Sequence, residues 1–243
     1  MNTSAASPHV HPTVVNQDRY IWRRRLLLKL MRSIGFGLLF KAEITGTDLF
    51  PESGPTLVAM NHIAALDPFV VTAAITARYM VPMSKVENYA NPIVKLMADT
   101  WGVYPVRRGE VDRQALGSTI ELLNQGHPVL IAPEGTRQVA LSEPKDGMTY
   151  VALKANAMIV PVGVDGTEQF PASLKRLRRA PITIRFGRAF RFRTEGRKRI
   201  PRDEMRAMTQ QAMYQIAQLL PEHRQGIYSD LSQAHTDLLD FVD

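Results

Sequence analysis

The chain has 243 residues, which suits one α/β-sized domain with extensions better than two domains. Hydrophobic residues make up 45% and charged residues 22%, which excludes wholesale disorder, and the absence of cysteine excludes disulfides, thiolate metal sites and a cysteine nucleophile. The net charge of +7 is unevenly placed: residues 18–41 carry +6 and residues 174–202 carry +11, leaving −10 elsewhere, so two anionic contacts are expected.

Met1 to Gln17 contains no charged residue and lacks the basic and apolar regions of a secretion signal, so residues 1–19 are expected to be a disordered, cytoplasmic N-terminus. Residues 20–41 follow, with charges spaced too closely for a membrane span. At helical spacing Arg25, Lys29 and Arg32 share one face and Leu27, Leu30, Met31, Ile34 and Leu38 the other, with Trp22 near the boundary. That pattern is read as a helix lying in a membrane interface, the alternative being an amphipathic helix packed on the protein's own core.

From Ala42 the pattern alternates. The apolar runs 56–60, 129–132 and 159–164 are predicted strands, and the segments 68–79, 91–101, 113–124 and 148–156 between them are predicted helices. Such alternation predicts an α/β fold with a mostly parallel central sheet covered by helices. Residues 182–186 and 189–192 alternate as half-exposed strands, and 202–220 is an amphipathic helix with Met205, Met208, Ala212, Ile216 and Leu219 inward. The main domain is thus 42–220, and residues 221–243 form an acidic tail expected to be a loosely attached helix.

Ligands in such a sheet collect beyond the carboxyl ends of the strands, so reactive residues just after apolar runs are the first candidates. After the first run come Asn61, His62 and, five residues on, Asp67. On one continuous helix that step is about 500°, which would separate the two side chains, so a working pair needs an intervening turn. Asp67-Pro68 reads as a helix cap and first helical residue, leaving His62 on a loop within reach of the Asp67 carboxylate. Capping alone would also account for Asp67. The second candidate is the short strand Gly102–Val106 opening into Arg107 and Arg108, which read either as an anion grip or as solvated surface. The third is Pro133-Glu134-Gly135-Thr136-Arg137, where glycine lets backbone approach an anion and Arg137 can hold phosphate through paired hydrogen bonds. By itself it is also an ordinary loop.

These segments, in this order and with Val160-Pro161 after them, resemble the glycerophosphate and lysophosphatidate acyltransferase family. Asn61-His62 with Asp67 looks like its His-x4-Asp block, Gly102–Arg108 its second, Glu134–Arg137 its third and Pro161 its fourth; Lys145 and Gly147 fit the Lys-x-Gly that commonly follows the third. Gln138 stands where many members have Ser, and Pro105 where a larger apolar residue is common. The resemblance implies acyl transfer from acyl-CoA or acyl carrier protein to a lysophosphatidate hydroxyl, without a covalent acyl-enzyme. His62 would be general base, Asp67 its orienting partner, and Arg108, Glu134, Gly135, Thr136 and Arg137 the acceptor's phosphate and glycerol site. Asn61, Lys145, Gly147 and Pro161 would play acyl-binding or structural parts. Neither metal nor bound cofactor is expected. The expected partners are a lysophospholipid acceptor and an anionic membrane surface met through residues 20–41 and 174–202, with the protein peripheral or monotopic on the cytoplasmic face. No nucleic-acid motif accompanies the basic runs.

Overall fold

The computed structural model describes residues 10–14, 16–107 and 112–242. Helix α1 (Ile21–Leu30) continues as π-helical turns over Met31–Leu39 and gives way to β1 (Phe40–Thr45) and β2 (Thr56–Met60). Then come α2 (Asp67–Ala74), β3 (Val81–Lys85), α3 (Pro92–Trp101), β4 (Tyr104–Val106), α4 (Arg113–Asn124), β5 (Val129–Ile131), α5 (Gly147–Ala155) and β6 (Met158–Asp165). The chain ends with α6 (Phe170–Lys175), β7 (Ala180–Phe186), β8 (Phe190–Phe192), α7 (Arg202–Ala217), α8 (Glu222–Gln225) and β9 (Leu239–Phe241).

The strands form one sheet in the order β1-β7-β6-β2-β5-β3-β4, with β8 on β6 and β9 on β8. From β6 to β4 all pairs are parallel, while β7 runs antiparallel to β6 and β1 pairs parallel with β7. The mostly parallel expectation therefore holds, with an antiparallel edge added. Every residue of β2 is buried because both faces of the sheet are covered. Leu57 and Ala59 join a core with Met148 and Val151 of α5 and Met208, Ala212 and Ile216 of α7; Val58 and Met60 join another with Val70 and Val71 of α2.

Several expectations need correction. The first helix after His62 stops at Ala74, where Ile75 turns extended and the chain proceeds to β3, a strand that the polar mixture Val81-Pro82-Met83-Ser84-Lys85 concealed. The residues described between 10 and 19 are not disordered. Val14 is fully buried, His11 N donates to Ser118 Oγ at 2.8 Å, and Gln17 is buried against Arg24. The 20–41 helix ends at Leu39, because Phe40 and Lys41 already pair with β7. The tail is not loose. Tyr228 is buried, and β9 extends the sheet through its antiparallel pairing with β8.

The reading of the N-terminal helix as packed on the protein's own core holds for one of its faces. That face packs on the body: Leu27, Leu28 and Met31 cluster with Ala73 and Trp101, and the buried Arg24 donates from Nε to the carbonyl of Trp101 at 2.6 Å. Burial lowers the Arg24 pKa to about 10, against opposing interactions with Tyr20, Tyr79 and Asp18. Arg32, itself exposed, donates to Ala73 O at 2.7 Å. The opposite face is an exposed apolar stripe of Trp22, Leu26, Leu30, Ile34 and Leu38. A four-residue step overshoots an α turn by about 40° and falls short of a wider π turn by about 30°, so the change of helix type cancels the drift and keeps the stripe on one side.

Candidate active site

The parallel register sets the site. Ala59 lies opposite Ile131 in the β2–β5 pair, and both chains leave the sheet at the same end, so His62 and Glu134 follow three residues later on neighbouring strand ends. On the other side of β2, Asn61 continues the pairing with its side chain: Nδ2 donates to Val164 O at 2.9 Å and Oδ1 accepts from Val164 N at 2.8 Å. Two buried hydrogen bonds thereby hold the residue before His62 to β6.

His62 and Asp67 are both buried, and His62 Nδ1 lies 2.9 Å from Asp67 Oδ2. The same oxygen accepts the amides of Ile63 at 2.6 Å and Ala64 at 2.7 Å. The Thr167 hydroxyl donates to Oδ1. A carboxylate so arranged accepts from Nδ1–H, which leaves Nε2 as the lone-pair nitrogen, and Nε2 has no hydrogen-bond partner among the described residues. Asp67 is not the helix cap anticipated. Leu66 occupies that position and Asp67 is the first helical residue, because its carboxylate turns back to the imidazole and the loop amides.

The third segment grips His62 through its backbone. His62 O accepts from Gln138 N at 2.8 Å, and the His62 backbone lies close enough to the Glu134 carboxylate to help hold its pKa down. Glu134 is buried, and its Oε1 takes both the amide and the hydroxyl of Ser142, at 2.8 and 2.9 Å. Burial pushes its pKa up against these hydrogen bonds. Gly135 has a φ of 72°, and a Cβ there would come within 3.0 Å of the Lys145 side chain, while Lys145 N donates to Pro133 O at 2.9 Å to close the loop. Thr136 and Arg137 are exposed at its tip, and Arg137 makes no hydrogen bond or ion pair among the described residues.

The other expected residues lie further back. Gly147 begins α5. Pro161 is a strand residue opposite Ala59, placed where β6 changes partner from β8 at Ile159 to β7 at Val162, so its missing N–H interrupts neither ladder. Arg108 lies outside the described residues. Its neighbour Arg107 follows β4, and the Arg107 amide donates to Asp112 Oδ2 at 2.8 Å. Asp112 Oδ1 takes Ala115 N at 2.9 Å, capping α4.

Sequence reading missed Thr167 and Ser142. Thr167 sits two residues past β6, so inspection of that strand end would have found it. Ser142 lies mid-loop and carries no comparable signal.

The sequence model described as Acyltransferase matches residues 41–165, just over half of the chain. The chain belongs to the acyltransferase family. The match runs from β1 to the last residue of β6 and so takes in His62, Asp67 and Glu134–Arg137, but stops short of Thr167. A chloroplastic 1-acyl-sn-glycerol-3-phosphate acyltransferase of Arabidopsis thaliana is 32% identical over 165 residues, covering 65% of this chain and 45% of that protein. The Borreliella burgdorferi protein of the same name is 28% identical over 134 residues, 54% of this chain and 53% of its own. One from Chlamydomonas reinhardtii is 30% identical over 186 residues, 71% and 54%. The chain thus spans about half the length of these curated relatives. The crystal structure of the 1-acyl-sn-glycerophosphate acyltransferase PlsC from Thermotoga maritima matches with a TM-score of 0.61 at 19% identity, covering 85% of this acyltransferase chain and 83% of that one, which shows a shared fold.

Proposed function

We propose that this acyltransferase moves a fatty-acyl group from acyl-CoA or acyl carrier protein to the free hydroxyl of 1-acyl-glycerol-3-phosphate, giving phosphatidic acid for phospholipid synthesis. The observation that carries the reading is the His62–Asp67 pair. Asp67 is held by two loop amides and Thr167, and so fixes Nδ1 and leaves Nε2 as a base. Nε2 takes the acceptor's hydroxyl proton, the oxygen attacks the thioester carbonyl, and the C–O bond forms as the C–S bond breaks. The departing thiolate recovers the proton from the imidazolium, whose charge Asp67 balances. Arg137, exposed at the loop tip beside Gly135, binds the acceptor phosphate together with Arg108, as the resemblance implies. Glu134 takes a different part in this reading: it accepts two hydrogen bonds from Ser142 and supports the acceptor loop from within.

The acceptor is a membrane lipid, and two features fit a protein that meets it at an anionic surface on the cytoplasmic face. One is the stripe from Trp22 to Leu38. The other is the basic turn Lys175-Arg176-Leu177-Arg178, which carries Leu177 out to 94% exposure. Arg179 joins the two by donating to Phe36 O at 2.6 Å and Phe40 O. No helix among the described residues is long and apolar enough to cross a membrane.

The test incubates purified protein with labelled acyl-CoA, or acylated carrier protein, and a panel of lysolipids and glycerol 3-phosphate, with mass spectrometry of the products. Labelled phosphatidic acid is the expected product; product from glycerol 3-phosphate alone would move the assignment to another acceptor. His62→Ala should lower kcat by about a hundred- to ten-thousandfold. Arg137→Ala should mainly raise KM for lysophosphatidate. Wild-type turnover in the histidine variant would end the base assignment.

A further inference from the structure

Arg224 lies in α8, beyond the stretch matched by the family, in a tail that from sequence reads as a loosely attached helix. Its side chain is 8% exposed and reaches three acceptors on two segments. Nε donates to Asp165 Oδ1 at 2.6 Å, Nη2 to Glu168, and Nη1 to the carbonyl of Val139 at 2.8 Å. Asp165 and Glu168 flank Thr167, whose hydroxyl holds Asp67. Val139 leads to Ser142, which holds Glu134. The backbone repeats the link: Leu141 N donates to Arg224 O at 2.9 Å and Ile227 N to Leu141 O at 3.2 Å. Gly226, at φ 55°, makes that approach possible, since a Cβ there would fall 2.0 Å from Leu141 O.

We propose that Arg224 is a positioning residue for acyl transfer, fastening the 165–168 turn and the 139–142 loop to one another so that Thr167 and Ser142 hold Asp67 and Glu134 in register around His62. The inference rests on the acyl-transfer reading of that site. Only an arginine suits the place, because its planar fork serves three acceptors in fixed directions whereas a lysine ammonium is a point charge on a flexible stem. Removing it leaves two carboxylates and a carbonyl without their shared partner, and small displacements at His62 are costly: a shift of about 1 Å can lose about a hundredfold in rate.

The variants are Arg224→Gln, Arg224→Lys and Glu168→Gln, assayed well below their own melting temperatures. Arg224→Gln should lower kcat about ten- to a hundredfold and also raise KM for lysophosphatidate, because both arms are cut. Arg224→Lys should recover only part of the loss. Glu168→Gln weakens only the arm toward Thr167, where Asp165 still accepts from Nε, so it should lower kcat by less than Arg224→Gln does and leave KM unchanged. It also keeps the test open if Arg224→Gln fails to fold. Hydrogen exchange supplies a readout independent of turnover. The amides of Ile63, Ala64 and Ser142 should lose protection in Arg224→Gln while those of α4 keep theirs. Full activity in folded Arg224→Gln, a KM change in Glu168→Gln matching that of Arg224→Gln, or uniform loss of protection would overturn the proposal. Should the wild-type protein transfer no acyl group to any acceptor, the acyl-transfer reading fails, and with it the catalytic purpose of the clamp. The exchange pattern then decides separately whether Arg224 fastens the two segments.

Discussion

Glu134 shows at the level of one side chain how burial and hydrogen bonding compete. Burial raises its pKa above the ordinary 4.5, while Ser142 and the His62 backbone pull against that rise. A carboxyl whose folded pKa is raised binds its proton more tightly in the native state than in the unfolded chain. Its contribution to stability is therefore fully present below the unfolded value and is lost as pH rises through the folded one. Glu134→Gln keeps an acceptor for Ser142 and cannot ionise. Denaturant unfolding measured at several pH values from about 4.5 upward should show the variant gaining stability relative to wild type toward neutrality. Parallel curves would mean that the carboxyl titrates alike in both states.

Among the elements, the N-terminal helix divides its labour by face. Its inner face holds α1 to α2 and α3 through Leu28, Ala73, Trp101 and the buried Arg24, so it is part of the fold. Its outer face is largely open to solvent: Leu26 and Leu30 are 64% and 52% exposed. Replacing both with Glu should change folding stability by less than about 1 kcal/mol, since exposed positions tolerate substitution. The same change should weaken binding to anionic vesicles at least about a hundredfold, because burying each leucine in lipid contributes about 1.5–3 kcal/mol. Co-sedimentation with vesicles, alongside a melting curve, reads both; unchanged vesicle binding would remove the stripe from the membrane contact.

For the whole molecule, the two basic stretches that are far apart in the chain become one neighbourhood where Arg179 bonds Phe36 and Phe40. A surface joined in this way should bind anionic vesicles with a marked dependence on salt, because exposed charges are screened within about 10 Å at 0.1 M ionic strength and about 3 Å at 1 M. Vesicle binding should fall at least about tenfold across that range, and neutral vesicles should show little of the change. Salt-independent binding would assign the contact to the apolar stripe alone.

The strands 56–60, 129–131 and 158–165 and the helices 113–124 and 202–217 were legible from sequence because buried parallel strands and amphipathic helices each leave a local period. The residues His62, Asp67 and Glu134 to Arg137 were legible because they follow those strands directly. β1, β3 and β9 were not, since short strands at or near an edge carry mixed residues and take their identity from the partner they pair with. Which arginines are held by the fold was equally hidden: Arg24, Arg32 and Arg224 belong to basic or polar runs, yet their side chains end on carbonyls and carboxylates supplied by distant segments. By itself the sequence determined the elements and the order of the reactive blocks, which depend on neighbours a few residues apart. Only the tertiary structure decided what holds Asp67 and Glu134 in place, because Thr167 and Arg224 reach their partners across 100 and about 60 to 85 residues of chain, distances over which no local pattern can act.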